Sequence, residues 1–239
     1  MISESFEDLS QALRIFLESY WKLGQLLDVD RAEAVGNMEG AFKGVLDSYH
    51  NLYDSMQKEQ SINVDWYATA PLALILAIRN AKHHNLANKI RNIFNYHVFT
   101  HNHPSDQSAY LLVDFPAPPE EEGGDCFDFY ISWSDIDALL ELPRKESRLR
   151  DGTRDLVRSY LSAEKFEGIA STEGMPKERI FINSVPLVLN AGIALSPHIK
   201  KVVKAVSTEG KHFNWHFENV CPAVTNDHEI KKVLVSLRE

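Results

Sequence analysis

Two short segments of the chain place an arginine and a histidine close enough to act on one phosphate group. They are RNAKHH, from Arg79 to His84, and RNIFNYH, from Arg91 to His97. RNA carries its own nucleophile, the 2'-hydroxyl group. Its cleavage therefore needs only a proton-transfer group with a pKa near 7 and a fixed cation for the charge that develops on phosphorus. Histidine and arginine can supply these two functions.

The local charge around both segments is positive, although the whole chain has a formal net charge of -9. Residues 66–105 contain no Asp or Glu, but they contain four Lys or Arg residues and five of the ten histidines. Without neighbouring carboxylates, we expect an unpaired guanidinium and histidines that titrate near neutrality. The acidic total argues against a protein that coats nucleic acid by bulk charge, because that mode needs many phosphate contacts. A small, focused polyanion site is predicted.

About the first 100 residues resemble the HEPN superfamily, small helical bundles in which a His follows an Arg after a short spacer. The resemblance is carried by the helix LALILAI leading into Arg79, with Asn80 and His84 at the motif's polar and histidine positions. It implies that Arg79 stabilises charge on the scissile phosphate, that His84 acts as general acid or base, and that Asn80 orients the pair.

The same resemblance implies a metal-independent endoribonuclease without a cofactor, acting in toxin–antitoxin systems or antiphage defence. In that family two copies meet as a homodimer and form one composite site. RNA and an antitoxin or regulatory protein are then the expected partners. The predicted RNA-binding side chains are Lys82, His83, Lys89 and Arg91.

The spacing of the first segment imposes a geometric condition. Residues five apart on a straight helix point about 140° apart. Arg79 and His84 therefore converge only if the helix ends or bends near His83 and Asn85, or if a second subunit supplies one of them. Arg79 and His83, four apart, share a helical face and form the fallback pair. For Arg91 and His97, an ordinary half-buried helix is the alternative to a position in the same groove.

Other functions stay open. A non-catalytic HEPN-like module that binds RNA, a nucleotide or a protein is the main alternative, and a purely structural helical module is another. In HVFTHNH, His97 and His101 share a helical face and His103 follows, so these imidazoles are candidates for zinc. No metal is predicted, because the region lacks a carboxylate to complete the site.

The elements that must position these residues begin with two long amphipathic helices. Apolar residues recur in alternating steps of three and four from Phe6 to Leu27 and again from Val35 to Met56, and Asp30 lies between them as an N-cap candidate. Two long helices with a short connection predict an antiparallel hairpin.

A third helix is predicted to begin with Thr69 as N-cap and Pro71 in its first turn, and to carry the first segment. A fourth is predicted from Asn85 to about His101. Together these helices make residues 1–104 a HEPN-like antiparallel bundle.

Residues 105–239 are predicted to form a smaller α+β part, either separate or packed on the bundle as one unit. Tyr110 to Phe115 and Cys126 to Trp133 are rich in β-branched and aromatic residues and are separated by a turn-forming stretch, which predicts a β-hairpin. The overall fold class is therefore mainly α.

Further helices are predicted in this second part. Ser134 is expected to cap a short helix, and Arg150, Arg154 and Arg158 lie at steps of four on a charged helix. Ser184, before Pro186, is predicted to cap a further helix. Asn226 forms a capping box with Glu229 and is predicted to begin the last helix.

The chain shows no basic, apolar leader at its first residues and no apolar run long enough to span a membrane, so a cytoplasmic protein is predicted. Cys126 and Cys221 lack a partner at metal or redox spacing and are expected to be reduced thiols.

Overall fold

The computed structural model describes residues 1–27, 29–59, 62–100, 107–118 and 127–236, without the side chains of 98–100 and 236. As predicted, the fold is mainly α with a smaller α+β part. In chain order, the α-helices are α1 (Ile2–Leu27), α2 (Arg31–Gln57), α3 (Ala70–His84), α4 (Ile93–Thr100), α5 (Trp133–Glu141), α6 (Arg144–Ser147), α7 (Thr153–Tyr160), α8 (Ala163–Thr172), α9 (Val185–Ile199) and α10 (Thr208–Asn219). The strands are β1 (Gln107–Asp114), β2 (Tyr130–Ser132), β3 (Ile180–Asn183) and β4 (Glu229–Ser236).

Helices α1 and α2 confirm the two predicted long helices. The side chain of Asp30 caps α2 by accepting a hydrogen bond from the backbone N–H of Glu33 at 2.9 Å. The apolar stripes of the two helices meet in the core, where the rings of Phe16 and Phe42 lie 5.6 Å apart. This packing buries the stripes that the helical periodicity identified.

Helix α3 also follows the prediction. Its N-cap is Thr69, Pro71 lies in its first turn, and its apolar residues are buried. The helix ends at His84 because Asn85 adopts the left-handed conformation, with φ 56°, and its N–H bonds to the carbonyl of Ala81. This buried helix positions the first Arg–His segment.

The predicted fourth helix is wrong in its first half. After Asn85 the chain forms a left-handed turn at Ala87–Lys89, and Ile90 also has a positive φ of 51°. Helix α4 begins only after Asn92, whose side-chain oxygen accepts a hydrogen bond from the N–H of Asn95 at 2.9 Å. The second Arg–His segment therefore begins before α4, with Arg91 outside the helix and His97 within it.

The four strands form one mixed sheet in the order β2-β3-β1-β4. Strand β1 pairs with β3 in parallel and with β4 in antiparallel, while β2 pairs with β3 in antiparallel. The two segments predicted as a β-hairpin contain β1 and β2. Strand β3 lies between these two strands in the sheet, so the prediction of a hairpin was wrong. Most of the intervening turn falls in residues 119–126, outside the described residues.

The prediction of the remaining helices was right in part. Ser184 precedes α9 as predicted, whereas α5 is capped by Ser132 rather than Ser134. The predicted charged helix is divided into α6 and α7, because Arg148 and Gly152 have positive φ angles of 60° and 81°. The helix predicted after Asn226 is wrong, since these residues form β4.

One continuous hydrophobic core contains residues from both halves of the chain. The hydroxyl of Tyr49 in α2 donates to the carbonyl of Val188 in α9 at 2.7 Å, which ties the N-terminal helices to the second part. At the other end of the core, Phe6 of α1 contacts Phe217 of α10. Side chains of the N-terminal helices and of the second part therefore contact each other in this core.

Among the described helices, none combines the length and the apolar character that crossing a lipid bilayer requires. Cys221 is exposed, and Cys126 lies outside the described residues.

Candidate functional site

The guanidinium of Arg79 is held against α2 by a single acidic side chain. Its Nε lies 3.4 Å from Oδ1 of Asp47, and the Arg79 side chain is 15% exposed. This Nε has no hydrogen-bond partner of good geometry within the described residues. The expectation of an unpaired guanidinium was wrong, because α2 supplies a carboxylate that is distant in sequence. Because this Nε is buried, the donors of Arg79 that can meet another oxygen are those of its two Nη groups.

Lys82 belongs to the interior rather than to the surface. Its side chain is 4% exposed and forms an ion pair with Glu39. The ammonium also donates to the carbonyl of Ile90 at 3.2 Å and lies 5.4 Å from the centre of the Phe42 ring. These contacts satisfy the ammonium inside the fold. The prediction that Lys82 contacts RNA was therefore wrong. A phosphate at the surface cannot reach Lys82 without displacing Glu39.

The other residues of the first segment lie on different faces of α3. Asn80 is buried, with 7% exposure, so it faces the core rather than solvent. His83 is exposed and lies one turn after Arg79, on the same face. Because α3 stays regular to His84, the side chains of Arg79 and His84 diverge as the spacing predicted. The fallback pair, Arg79 and His83, is the one that shares a face.

His84 still belongs to the same cluster of charges. Its ring lies perpendicular to that of His83, with 4.7 Å between ring centres. Partial burial lowers the pKa of His84, and the positive charge of Arg148 lowers it further. His83 and Arg79 act in the same direction. A lowered pKa leaves His84 mostly neutral at pH 7.

Sequence reasoning missed His50, which lies on α2 beside the partner of Arg79. Nδ1 of His50 is 3.5 Å from Oδ2 of Asp54, and the His50 side chain is 25% exposed. Burial and the charge of Arg79 lower the pKa of His50, outweighing the opposite effects of Asp54 and Asp47. The sequence did carry a signal, since His50 and Asp54 are four apart and therefore share a helical face.

The arginine of the second segment serves the fold. Arg91 donates from Nε and Nη2 to the carboxylate of Asp135 at 2.9 and 2.8 Å, and its guanidinium lies 4.7 Å from the centre of the Tyr96 ring. His97 is fully buried, with Nδ1 2.7 Å from the hydroxyl of Tyr110. Arg91 and His97 thus match the half-buried alternative. Lys89, in the left-handed turn, is exposed.

No group of three or more His, Cys, Asp or Glu side chains arranged to hold a metal ion occurs in the described part of the chain. Of the three histidines considered for zinc, His97 is hydrogen-bonded through Nδ1 to the hydroxyl of Tyr110. His101 and His103 lie outside the described residues.

No protein-family model, curated protein or solved structure matches this chain. Arg79 and the nearby histidines His50, His83 and His84 are therefore the residues from which a function is inferred, together with the motif resemblance.

Proposed function

We propose that this protein is a metal-independent endoribonuclease of the HEPN type that acts in a toxin–antitoxin system or in antiphage defence. The observation that supports the proposal best is the state of Arg79. Its guanidinium contacts Asp47, its side chain stays 15% exposed, and His83 and His84 follow it on α3. By contrast, Nε and Nη2 of Arg91 already donate hydrogen bonds to Asp135. Of the two arginines, Arg79 is therefore the one that we propose receives a phosphate.

The proposed reaction is attack of the RNA 2'-hydroxyl group on the adjacent phosphorus. Arg79 stabilises the negative charge that develops on the phosphoryl oxygens, and it binds the phosphate in competition with Asp47. His84 exchanges a proton with the 2'-hydroxyl or with the leaving 5'-oxygen. His83 and Lys89 are exposed and available to contact the RNA backbone. The products are a 2',3'-cyclic phosphate and a 5'-hydroxyl end.

The proposed assembly is a cytoplasmic homodimer in which the α3 ends of two protomers meet. Because Arg79 and His84 diverge on one helix, a second protomer would place a histidine opposite each arginine. An antitoxin or regulatory protein is the proposed additional partner. Light scattering on the purified protein measures the mass of the particle, and a monomeric mass at micromolar concentration contradicts this part of the proposal.

The test is incubation of a mixed-sequence RNA with purified wild type, Arg79→Ala and His84→Ala in buffer with EDTA. Cleavage by the wild type should leave 2',3'-cyclic phosphate ends, and both variants should lose it while keeping their thermal stability and circular dichroism. Exposed His212 on α10 offers the matched control, since His212→Ala should cleave like the wild type. RNA binding without cleavage by the wild type would instead support the non-catalytic HEPN-like module.

A further inference from the structure

His50 and Asp54 form an imidazole–carboxylate pair on the surface of α2 that faces Arg79. Nδ1 of His50 points to the carboxylate of Asp54, and Asp47, one turn before His50, holds the guanidinium of Arg79. Helix α2 thus carries both the group that positions the arginine and a titratable imidazole. Neither the Arg–His segments nor the family resemblance included His50.

We infer that His50, oriented by Asp54, is the general base of this site and removes the proton of the RNA 2'-hydroxyl group beside Arg79. The inference rests on the proposed ribonuclease function and adds a residue from a second helix of the same protomer.

The orientation of the ring supports this role. A carboxylate next to Nδ1 favours the tautomer with the proton on Nδ1, which leaves the lone pair of Nε2 available to accept a proton. The distance of 3.5 Å between Nδ1 and Oδ2 of Asp54 is long for a hydrogen bond. Such contacts are often long in the free enzyme and shorten when substrate binds. The same arrangement orients the basic histidine in many hydrolytic sites.

The charges around His50 keep it in the form that a base requires. The groups that act on it are Asp47 and Asp54 from α2, and Arg79 and His83 from α3. Burial and the two positive groups lower its pKa more than the two carboxylates raise it. His50 is therefore mainly neutral at pH 7, with Nε2 unprotonated.

The position of His50 also addresses the divergence of Arg79 and His84 on α3. Arg79 and His83 act electrostatically on both His50 and His84, so the four side chains belong to one cluster of charges. A phosphate bound to Arg79 would then meet an imidazole from α2 in addition to a histidine from the end of α3. One protomer then carries a base, a cation and a second imidazole.

The proton and electron balance of the step is complete with these groups. Nε2 of His50 takes the proton of the 2'-hydroxyl, and the 2'-oxygen forms a bond to phosphorus. The bond from phosphorus to the 5'-oxygen breaks, and that oxygen takes a proton from His84 in the fraction of molecules in which His84 is protonated. Exchange of protons with water returns both histidines to their starting forms, so no oxidant, reductant or metal takes part.

The experiment measures single-turnover cleavage of a labelled RNA in EDTA, from pH 5 to pH 8, by the wild type, His50→Gln, Asp54→Asn and the control His212→Gln. Loss of a general base is expected to lower the rate about 10²–10⁴-fold. In His50→Gln we also expect loss of the acidic limb of the pH profile, with RNA affinity by fluorescence anisotropy unchanged within about twofold. His212→Gln should match the wild type in all three readouts.

The outcomes separate this inference from the function on which it rests. If the wild type cleaves and His84→Ala abolishes cleavage, but His50→Gln keeps a rate and pH profile within threefold of the wild type, the role of His50 is overturned and the ribonuclease stands. Absence of cleavage by the wild type overturns both. If His50→Gln does not fold, the Asp54→Asn variant provides the test instead. Asp54 is exposed, so its substitution should not affect folding. An unchanged cleavage rate and pH profile in Asp54→Asn overturn the inference.

Discussion

Arg91 and Asp135 form a bidentate ion pair in which Nε donates to Oδ2 at 2.9 Å and Nη2 donates to Oδ1 at 2.8 Å. The same carboxylate accepts from the backbone N–H of Arg91 at 3.0 Å and from Nδ2 of Asn88 at 2.9 Å. Asp135, with its side chain 3% exposed, thus fastens the left-handed turn between α3 and α4 to α5. The turn ends the helix that carries Arg79, so this pair helps to define the candidate site without belonging to it.

Asp135→Ala is expected to lower the free energy of unfolding by about 3–5 kcal/mol, because it leaves a partly buried guanidinium without its partner. Urea unfolding followed by circular dichroism measures the change. Glu141→Ala is the matched control: its ion pair with Arg154 is exposed on both sides and should contribute about 0.2–1 kcal/mol. Equal losses in the two variants would contradict the structural role assigned to Asp135.

Lys82 and Lys89 should respond to alanine in opposite ways. Lys82→Ala is expected to cost about 1.5–3 kcal/mol of stability, because charge-assisted hydrogen bonds to Glu39 and Ile90 are lost. Lys89→Ala should change stability by no more than about 0.5 kcal/mol but weaken RNA binding and reduce its salt slope by about 1. Thermal unfolding and fluorescence anisotropy at several salt concentrations measure both effects. A salt slope unchanged in Lys89→Ala would remove Lys89 from the RNA contacts.

Two helical glycines should also differ. A methyl group added at Gly40 in α2 meets no described atom within 4 Å, so Gly40→Ala is expected to stabilise the protein by about 0.5–1 kcal/mol. A methyl group at Gly192 in α9 would overlap the ring of Phe217 in α10. Gly192→Ala should therefore destabilise by about 1–3 kcal/mol. Denaturant midpoints of the two variants give the comparison, and stabilisation by Gly192→Ala would show that α9 and α10 pack differently.

The contribution of Asp137 to the free energy of unfolding should depend on pH. Burial raises its pKa, but hydrogen bonds from Lys177 at 2.5 Å and Arg158 at 2.7 Å outweigh burial, so the pKa lies below its ordinary value of 3.8. The unfolded chain then binds more protons below pH 3.8, and the stabilisation from Asp137 is present above that pH and is lost as pH falls through the folded pKa. The difference in unfolding free energy between wild type and Asp137→Asn should shrink below pH 3.8. A difference in unfolding free energy that stays constant with pH would contradict the role of Asp137. Asp151, which is exposed, provides the control variant Asp151→Asn.

The helices that the sequence predicted well are those whose signals are local. The stripe of α1, the Asp30 cap of α2 and the Pro71 start of α3 depend on residues within a few turns. Strand β4 was mistaken for a helix because Ile230 and Val233 also satisfy helical spacing, and its pairing with β1 is set by residues more than 100 positions away. Pairing partners at that separation leave no local signal.

The candidate site was predictable only on one helix. Arg79, His83 and His84 lie within six residues of one another, and their helical positions follow from spacing alone, whereas His50 lies on α2. The acid-free region misled the charge argument, because Asp47 and Glu39 are supplied by α2 and Asp135 by α5. An ion pair across two helices depends on packing, which charge counts along the chain do not contain.

The strand order has a consequence for synthesis of the chain. Strand β1 lies between β3 and β4, and β4 begins at Glu229, more than 100 residues after β1 ends at Asp114. At translation speeds of about 5–20 residues per second, a ribosome needs roughly 6–23 s to cover that distance. During this interval one edge of β1 has no strand to pair with and exposes its backbone N–H and C=O groups, which other nascent chains can bind. These seconds of synthesis, rather than the finished fold, are when the sheet is most exposed to aggregation and to chaperones.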